Sequence, residues 1–140
     1  YVLFGSSFGG KTAFHAIDRL NPEALILQKP VLLERNSERY ERLAEEDNWE
    51  RYGGKSWGKE FVKAFRAQDF GKIAEEIDIP VLIFHGSEDD IIDFGDTVDA
   101  VKDLETDVTL RKLQGEKHSF SDEAQEKVKD ESFRWLENEL

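Results

Sequence analysis

The chain of 140 residues contains no cysteine, so disulfide bonds, thiol catalysis and Cys-based metal sites are excluded. Its three histidines show no metal-binding spacing such as H-E-x-x-H, and we expect neither a metal nor another cofactor. Methionine is also absent, even at position 1, and the chain opens inside an apolar run. We therefore expect either a piece of a longer protein or a chain whose upstream segment has been removed.

Basic residues are few relative to acidic ones. The 19 Lys and Arg residues are outnumbered by 31 Asp and Glu residues, which gives a net charge of −12. Phosphate binding needs clustered Lys and Arg, so this balance argues against nucleic acid and anionic membranes as partners. No run of about 18 apolar residues predicts a membrane span, and no signal peptide is recognised. The absence of cysteine leaves the compartment open, with a cytoplasmic protein as the simpler expectation.

The order of apolar segments predicts a single α/β domain over residues 1–140. Short apolar runs predict strands, and apolar residues at helical spacing predict helices. Strand–helix–strand with short connections indicates a parallel sheet. The strands are predicted at 1–4, 24–27, 80–86 and 108–113, the last of them at an edge of the sheet. The helices are predicted at 9–20, 97–104 and 121–140.

The stretch at about 34–78 is too long for a minimal crossover between strands. Helices are predicted at 34–50, 59–69 and 70–77. We expect a helical cap or lid-like insertion over a site, or a helical layer that covers the sheet. Aromatic side chains here either line an acyl pocket or simply pack, namely Trp49, Tyr52, Trp57 and Phe61.

A serine lies in a glycine-flanked turn, Gly5-Ser6-Ser7-Phe8-Gly9, between the first predicted strand and the first helix. This is the context that a G-x-S-x-G nucleophile elbow requires. Side chains at Gly5 and Gly9 would crowd the strand and helix around Ser7. The helix N-terminus also offers N–H groups and partial positive charge to an oxyanion. The alternative is a Gly/Ser turn that caps the helix.

An acid and an imidazole follow two later strands. Asp89 comes soon after the strand at 80–86, and His118 comes soon after the strand at 108–113. The carboxyl ends of parallel strands share one edge of the sheet, so we expect both side chains to converge on Ser7. These three residue types can form a nucleophile, a base and a residue that orients the base.

Other titratable residues near these motifs are weaker candidates. Glu88 and Asp90 are the alternatives to Asp89, and otherwise they are solvated loop charges. We interpret His85, at the end of a strand, as structural. His15 is interpreted as a surface or core residue of the first helix.

With these motifs in the order Ser, Asp, His, the chain resembles the α/β-hydrolase family. The matching segments are 5–10 (GSSFGG), 85–92 (HGSEDDII) and 115–120 (GEKHSF). The chain looks most like the small esterase and acyl-peptidase-like branch. The resemblance covers the later part of that fold and implies a mostly parallel sheet of about four strands flanked by helices.

The resemblance also implies a serine hydrolase acting on small carboxylic esters. Ser7 would be the nucleophile, His118 the general base and Asp89 the residue that orients His118. The backbone N–H of Phe8 would be one oxyanion donor. In the family the second donor comes from a loop that precedes the elbow, and that region lies outside this sequence. A non-catalytic module used in binding or assembly is therefore the alternative.

The first predicted strand has an apolar edge with no predicted neighbour upstream. Unpaired strand edges invite pairing with another chain. We therefore expect a homo-oligomer, in the simplest case a dimer joined near residues 1–4.

Overall fold

The computed structural model describes residues 1–33, 64 and 68–140. Four strands and five helices lie in this part of the chain. In chain order they are β1 (Val2–Ser6), α1 (Phe8–His15), α2 (Ile17–Leu20), β2 (Ala24–Gln28), α3 (Phe70–Glu76), β3 (Val81–Gly86), α4 (Phe94–Lys102), β4 (Val108–Leu113) and α5 (Asp122–Glu139).

The chain divides into two compact units. The larger unit joins Tyr1–Leu32 to Phe70–Leu140 and contains all of these elements, and the smaller unit is Leu33–Asp69. Most of the predicted cap at about 34–78, with its four aromatic residues, lies outside the described residues. The cap therefore stays a prediction, although its last predicted helix is present as α3.

The four strands form one parallel sheet in the order β1-β2-β3-β4. Strands β2 and β3 occupy the centre, and their continuous apolar runs are buried almost throughout, as expected for strands covered on both faces. Strand β4 lies at one edge, which confirms the expected edge position. The predicted fold class, a reduced α/β-hydrolase sheet of about four parallel strands, is confirmed.

Helices cover the two faces of the sheet and bury alternate strand residues. Helix α5 packs against β3, while α1 packs against β1 and β2 and α4 packs against β3. Side chains alternate between faces along a strand, so both faces of β2 and β3 contribute to the core. The core on the α5 face contains Ala24, Ile26, Leu82, Phe84, Leu113, Phe120, Ala124, Val128 and Trp135.

Two helix predictions differ from the structure. The single helix expected at 9–20 is two helices, because the hydrogen-bond pattern changes at Ala16, whose N–H donates to the carbonyl of Ala13, three residues back, at 3.1 Å. The helix expected at 97–104 begins earlier, at Phe94, because the Asp93 carboxylate accepts a hydrogen bond from the backbone N–H of Gly95 and caps it. Caps and local breaks of this kind are set by single side chains and leave little trace in apolar spacing.

Candidate active site

Ser7 follows β1 directly and stands at the start of α1 in a backbone conformation that is rare for a non-glycine residue. Its φ is 56° and its ψ is −120°. Such strain persists only where the surroundings enforce it, and it is typical of a nucleophile elbow. A Cβ at Gly5 would lie 2.5 Å from the carbonyl oxygen of Gly9, so the turn requires glycine there.

Gly9 does not have the packing role that the sequence predicts. A Cβ at Gly9 would meet no atom of the described residues within 4 Å. The second crowded glycine is Gly10, where a Cβ would lie 2.9 Å from the Cβ of Pro30. The expectation for Gly9 was wrong because Pro30, far away in sequence, approaches the helix at Gly10 instead.

The Ser7 hydroxyl does not cap α1. The Ser7 carbonyl instead accepts the backbone N–H of Gly10 at 3.0 Å, and the Ser7 N–H donates to the carbonyl of Gln28 at 2.9 Å. These backbone bonds fix the turn and leave the side chain for other contacts. The alternative of a capping serine therefore does not describe this turn.

His118 joins the serine to the acid. Its Nε2 lies 3.1 Å from the Ser7 Oγ, and its Nδ1 lies 2.9 Å from the Asp89 Oδ2. An ionised carboxylate only accepts hydrogen bonds, so Nδ1 carries the proton. In the neutral imidazole Nε2 is then an acceptor, and the Ser7 hydroxyl donates to it. The structure thus brings all three predicted side chains together.

Asp89 is held by backbone donors in its own loop. Its Oδ1 accepts the N–H groups of Ile91 and Ile92, each at 2.9 Å. Its side chain is fully buried, whereas Glu88 and Asp90 are exposed. The structure therefore favours Asp89 over both alternatives as the partner of His118.

The Asp89 carboxyl is strongly perturbed. Burial alone would raise its pKa, but hydrogen bonds from His118, from His85 and from the backbone N–H groups of Ile92 and Ile91 outweigh it. Together they hold the pKa of Asp89 far below its ordinary value. The carboxylate therefore stays ionised whenever the protein is near neutral pH.

His85 has a contact that sequence reasoning did not predict. Its ring is fully buried, and its Nε2 lies 2.9 Å from the carbonyl of Ile92 and 3.2 Å from the Asp89 Oδ2. Both neighbours of Nε2 are acceptors, so this nitrogen carries a proton, and in the neutral imidazole Nδ1 then accepts from Thr97 Oγ1 at 2.8 Å. The carboxylate of Asp89 thus lies between two imidazoles.

The loop that carries His118 rests on the end of β3. A Cβ at Gly86 would lie 2.2 Å from the carbonyl oxygen of Glu116, so only glycine allows this approach. The backbone N–H of Glu88 donates to the same carbonyl at 2.9 Å. The Glu116 carboxylate accepts the hydroxyl of Ser121, which caps α5. The acid loop and the His118 loop are therefore joined directly.

Neither a metal cluster nor a membrane span is found in residues 1–33, 64 and 68–140. No group of three or more His, Cys, Asp or Glu side chains there is arranged to hold a metal ion. None of the helices there has the length and apolar character needed to cross a bilayer.

The comparisons with known proteins identify the family of the chain. A family model described as serine aminopeptidase, S33, matches residues 25–125, a segment that includes Asp89 and His118. The chain belongs to this family of α/β hydrolases. It is also 32% identical over 61 residues to a non-heme chloroperoxidase of Streptomyces lividans, a match that covers 44% of this chain and 22% of that protein.

Two solved structures illustrate the shared fold. Est1E from Butyrivibrio proteoclasticus has a TM-score of 0.78 at 21% identity, covering 96% of this chain and 59% of that one. A monoacylglycerol lipase of Paleococcus ferrophilus has a TM-score of 0.69 at 18% identity, covering 99% of this chain and 68% of that one. The chain thus spans little more than half the length of Est1E. At these identities the likeness establishes the fold.

Proposed function

We propose that this protein is a serine hydrolase that cleaves small carboxylic esters through an acyl-enzyme on Ser7. The observation that carries the proposal is the hydrogen-bonded series from the Ser7 Oγ through His118 to Asp89, with its 3.1 Å and 2.9 Å distances. Membership in an α/β-hydrolase family supports it.

In the first half-reaction the Ser7 Oγ attacks the carbonyl carbon of the ester. His118 Nε2 takes the hydroxyl proton as the new C–O bond forms, and Asp89 stabilises the imidazolium. The tetrahedral intermediate then expels the alcohol, whose oxygen receives the proton from Nε2. A water molecule then attacks the carbonyl carbon of the acyl-enzyme while His118 Nε2 takes its proton. The proton passes to the Ser7 Oγ as the carboxylic acid is released.

The developing oxyanion needs hydrogen-bond donors beside Ser7. We assign one of them to the backbone N–H of Phe8, the first residue of α1, where the helix N-terminus adds partial positive charge. Loss of one such donor costs about 10²–10³ in rate. The second donor is not assigned to any described residue.

The proposal of carboxylic esters as the substrate class is supported by the names of structurally similar proteins. Est1E has been solved with ferulic acid bound, and another neighbour is a monoacylglycerol lipase. A carboxylic acid is a product of ester hydrolysis and a monoacylglycerol is itself an ester, so both fit a Ser–His–Asp series that transfers acyl groups to water. We propose no particular acyl or alcohol group.

The proposal is tested by turnover of p-nitrophenyl acetate. We expect hydrolysis by the wild-type chain and a loss of about 10³-fold or more in Ser7→Ala, because the nucleophile is removed. Ser6→Ala is the matched control, since it removes the adjacent hydroxyl. Equal rates for wild type and Ser7→Ala would contradict the triad and favour a non-catalytic module.

We also propose that two copies associate through β1. Within the described residues β1 pairs with β2 alone. The Ser7 N–H bonds to Gln28 of β2, so by alternation the backbone groups of Val2, Phe4 and Ser6 face the open edge. The Phe4 side chain is 56% exposed. An apolar strand edge of this kind is a template for another strand.

A further inference from the structure

Lys29 adopts an unusual backbone conformation directly after β2. Its φ is 41°, in the left-handed region that long side chains seldom occupy. Its backbone N–H donates to the carbonyl of Phe84 at 2.7 Å, which ties the residue to the end of β3. Strain of this kind costs about 1–3 kcal/mol and is concentrated at functional sites. A residue that only continued the chain after β2 would not need this conformation, so we expect a further role of Lys29.

The Lys29 side chain lies against the loop that carries His118. Its Nζ donates a hydrogen bond to the backbone carbonyl of His118. The same nitrogen lies 4.5 Å from the centre of the Phe120 ring, a cation–π contact. One ammonium thus holds the loop at two points, at the imidazole-bearing residue and at the buried ring two residues later.

The Lys29 ammonium is partly buried, which disfavours its charged form. Partial burial lowers the pKa of Lys29, and the negative charge of Asp89 opposes that change. Lysine side chains usually extend their charged end into water, so a partly desolvated one needs specific partners. Here those partners are the His118 carbonyl, the Phe120 ring and the nearby Asp89 carboxylate.

We propose that Lys29 is a positioning residue that fixes the orientation of His118 toward Ser7. The proposal rests on the proposed function, since it concerns the same hydroxyl and imidazole. Lys29 touches neither reacting group and acts through the backbone of His118. Without the ammonium the loop keeps its hydrogen bond at Glu116 and the burial of the Phe120 ring, but the cation–π contact is lost, the carbonyl of His118 loses its donor and the imidazole turns more freely.

The test compares Lys29→Met, Lys29→Arg and Lys112→Met. Methionine keeps the length of the side chain and removes its donor, whereas arginine keeps a cationic donor. Lys112 is the matched control, because its ammonium also lies over an aromatic ring, 5.3 Å from the centre of Phe94. If Lys29→Met does not fold, Lys29→Leu takes its place, because leucine also lacks a donor.

We expect kcat to fall about 10–100-fold in Lys29→Met with KM changed less than about threefold, because misplacing a catalytic group by about 1 Å has effects of that size. Lys29→Arg recovers most of kcat, and Lys112→Met matches wild type. A wild-type kcat in Lys29→Met would overturn the proposal. A fall in kcat that Lys29→Arg does not restore would also overturn the proposal. So would a change in KM in Lys29→Met as large as the change in kcat.

A second readout does not depend on turnover. In protein labelled with ¹⁵N-histidine, the His118 Nδ1–H signal, assigned by its loss in His118→Gln, should broaden in Lys29→Met and stay sharp in Lys29→Arg and Lys112→Met. An unchanged signal in Lys29→Met would overturn the role of Lys29 even if the enzyme is active. Conversely, a wild-type chain without turnover would contradict the proposed function, while the signal would still decide the role of Lys29.

Discussion

At the scale of single residues, the site is organised around one carboxylate. Asp89 accepts hydrogen bonds from His118, His85 and the backbone N–H groups of Ile91 and Ile92. Because donors face both oxygens, a proton on either oxygen would meet no acceptor, so the charge and the orientation of the side chain are fixed together. This fixes the tautomer of His118 that can accept a proton from Ser7.

Replacement of Asp89 by asparagine should abolish this control. The amide keeps the size of the side chain but no longer requires a proton on Nδ1, so His118 can present the wrong tautomer to Ser7. We expect kcat for p-nitrophenyl acetate to fall about 10⁴-fold. The exposed neighbour variant Asp90→Asn should stay within about twofold of wild type. Similar losses in both variants would mean that the acid has been assigned incorrectly.

Asp89→Asn should also change how the stability of the protein depends on pH. The pKa of Asp89 is lower in the folded protein than in the unfolded chain, where it is about 3.9. Its contribution to the free energy of unfolding is therefore fully present above about pH 4 and is lost as the pH falls through the folded value. Urea titrations should show wild type more stable than Asp89→Asn by about 2 kcal/mol at pH 7, with the gap narrowing below pH 4. A gap that widens in acid would contradict this account.

The meeting of Ser7, Asp89 and His118 at one edge of the sheet could be predicted because each residue follows a strand within a recognisable motif. Lys29 could not, because a lysine after a strand carries no signal of the carbonyl it will reach. The contact between His85 and Asp89 was missed for the same reason, although the placement of His85 as a structural residue was predicted. Such contacts depend on loops that meet only in the folded sheet.

At the scale of elements, two loops at neighbouring strand ends form one unit. The carbonyl of Leu113 accepts the N–H of Ser87 at 2.9 Å, and the Ser87 hydroxyl accepts the N–H of Gly115 at 2.8 Å. The loop after β3, which carries Asp89, is thus bonded to the loop after β4, which carries His118. The distance between the two loops is set at Gly86, where the backbone of the first loop contacts the Glu116 carbonyl of the second.

Gly86→Ala tests this dependence. The added Cβ would lie 2.2 Å from the Glu116 carbonyl oxygen, and this backbone contact cannot be relieved by a side-chain rotation. We expect the His118 loop to move, with a loss of about 10–100-fold in kcat and about 1–3 kcal/mol in unfolding free energy.

Gly9→Ala is the control for this stability change, because its Cβ meets no described atom within 4 Å. We expect Gly9→Ala to match wild type or gain up to about 1 kcal/mol, since alanine favours helix. A destabilisation in Gly9→Ala as large as that in Gly86→Ala would contradict the packing argument.

Strands were easier to predict than helices. Strands β2 and β3 are buried on both faces, so their continuous apolar runs identify them with nearly correct bounds. The helices depend on local features that apolar spacing does not record, such as the break at Ala16 and the cap at Asp93.

At the scale of the whole molecule, the sheet has two edges of different character. Strand β4 ends the sheet with the exposed charged residues Arg111 and Lys112, which discourage pairing. Within the described residues the other edge is β1, where Phe4 and Tyr1, the residue just before the strand, are exposed aromatic residues. The proposed association of two chains therefore belongs to the β1 edge.

Sedimentation equilibrium should detect that association. We expect a dimer at micromolar concentration in wild type and a shift toward monomer in Phe4→Lys, because a charge at the edge opposes strand pairing. Leu140→Lys, which alters an equally exposed apolar residue at the end of α5, should stay dimeric. A stable wild-type monomer would remove the proposal.

The central claim is that the Ser7 hydroxyl is activated by His118 and Asp89, and labelling with a fluorophosphonate tests it most directly. Mass spectrometry of the folded chain should find one adduct per chain on Ser7, no adduct in Ser7→Ala, and labelling about 10²-fold slower or more in His118→Gln. A well-folded chain that takes no label, or one that is labelled equally after Ser7→Ala, would contradict the account.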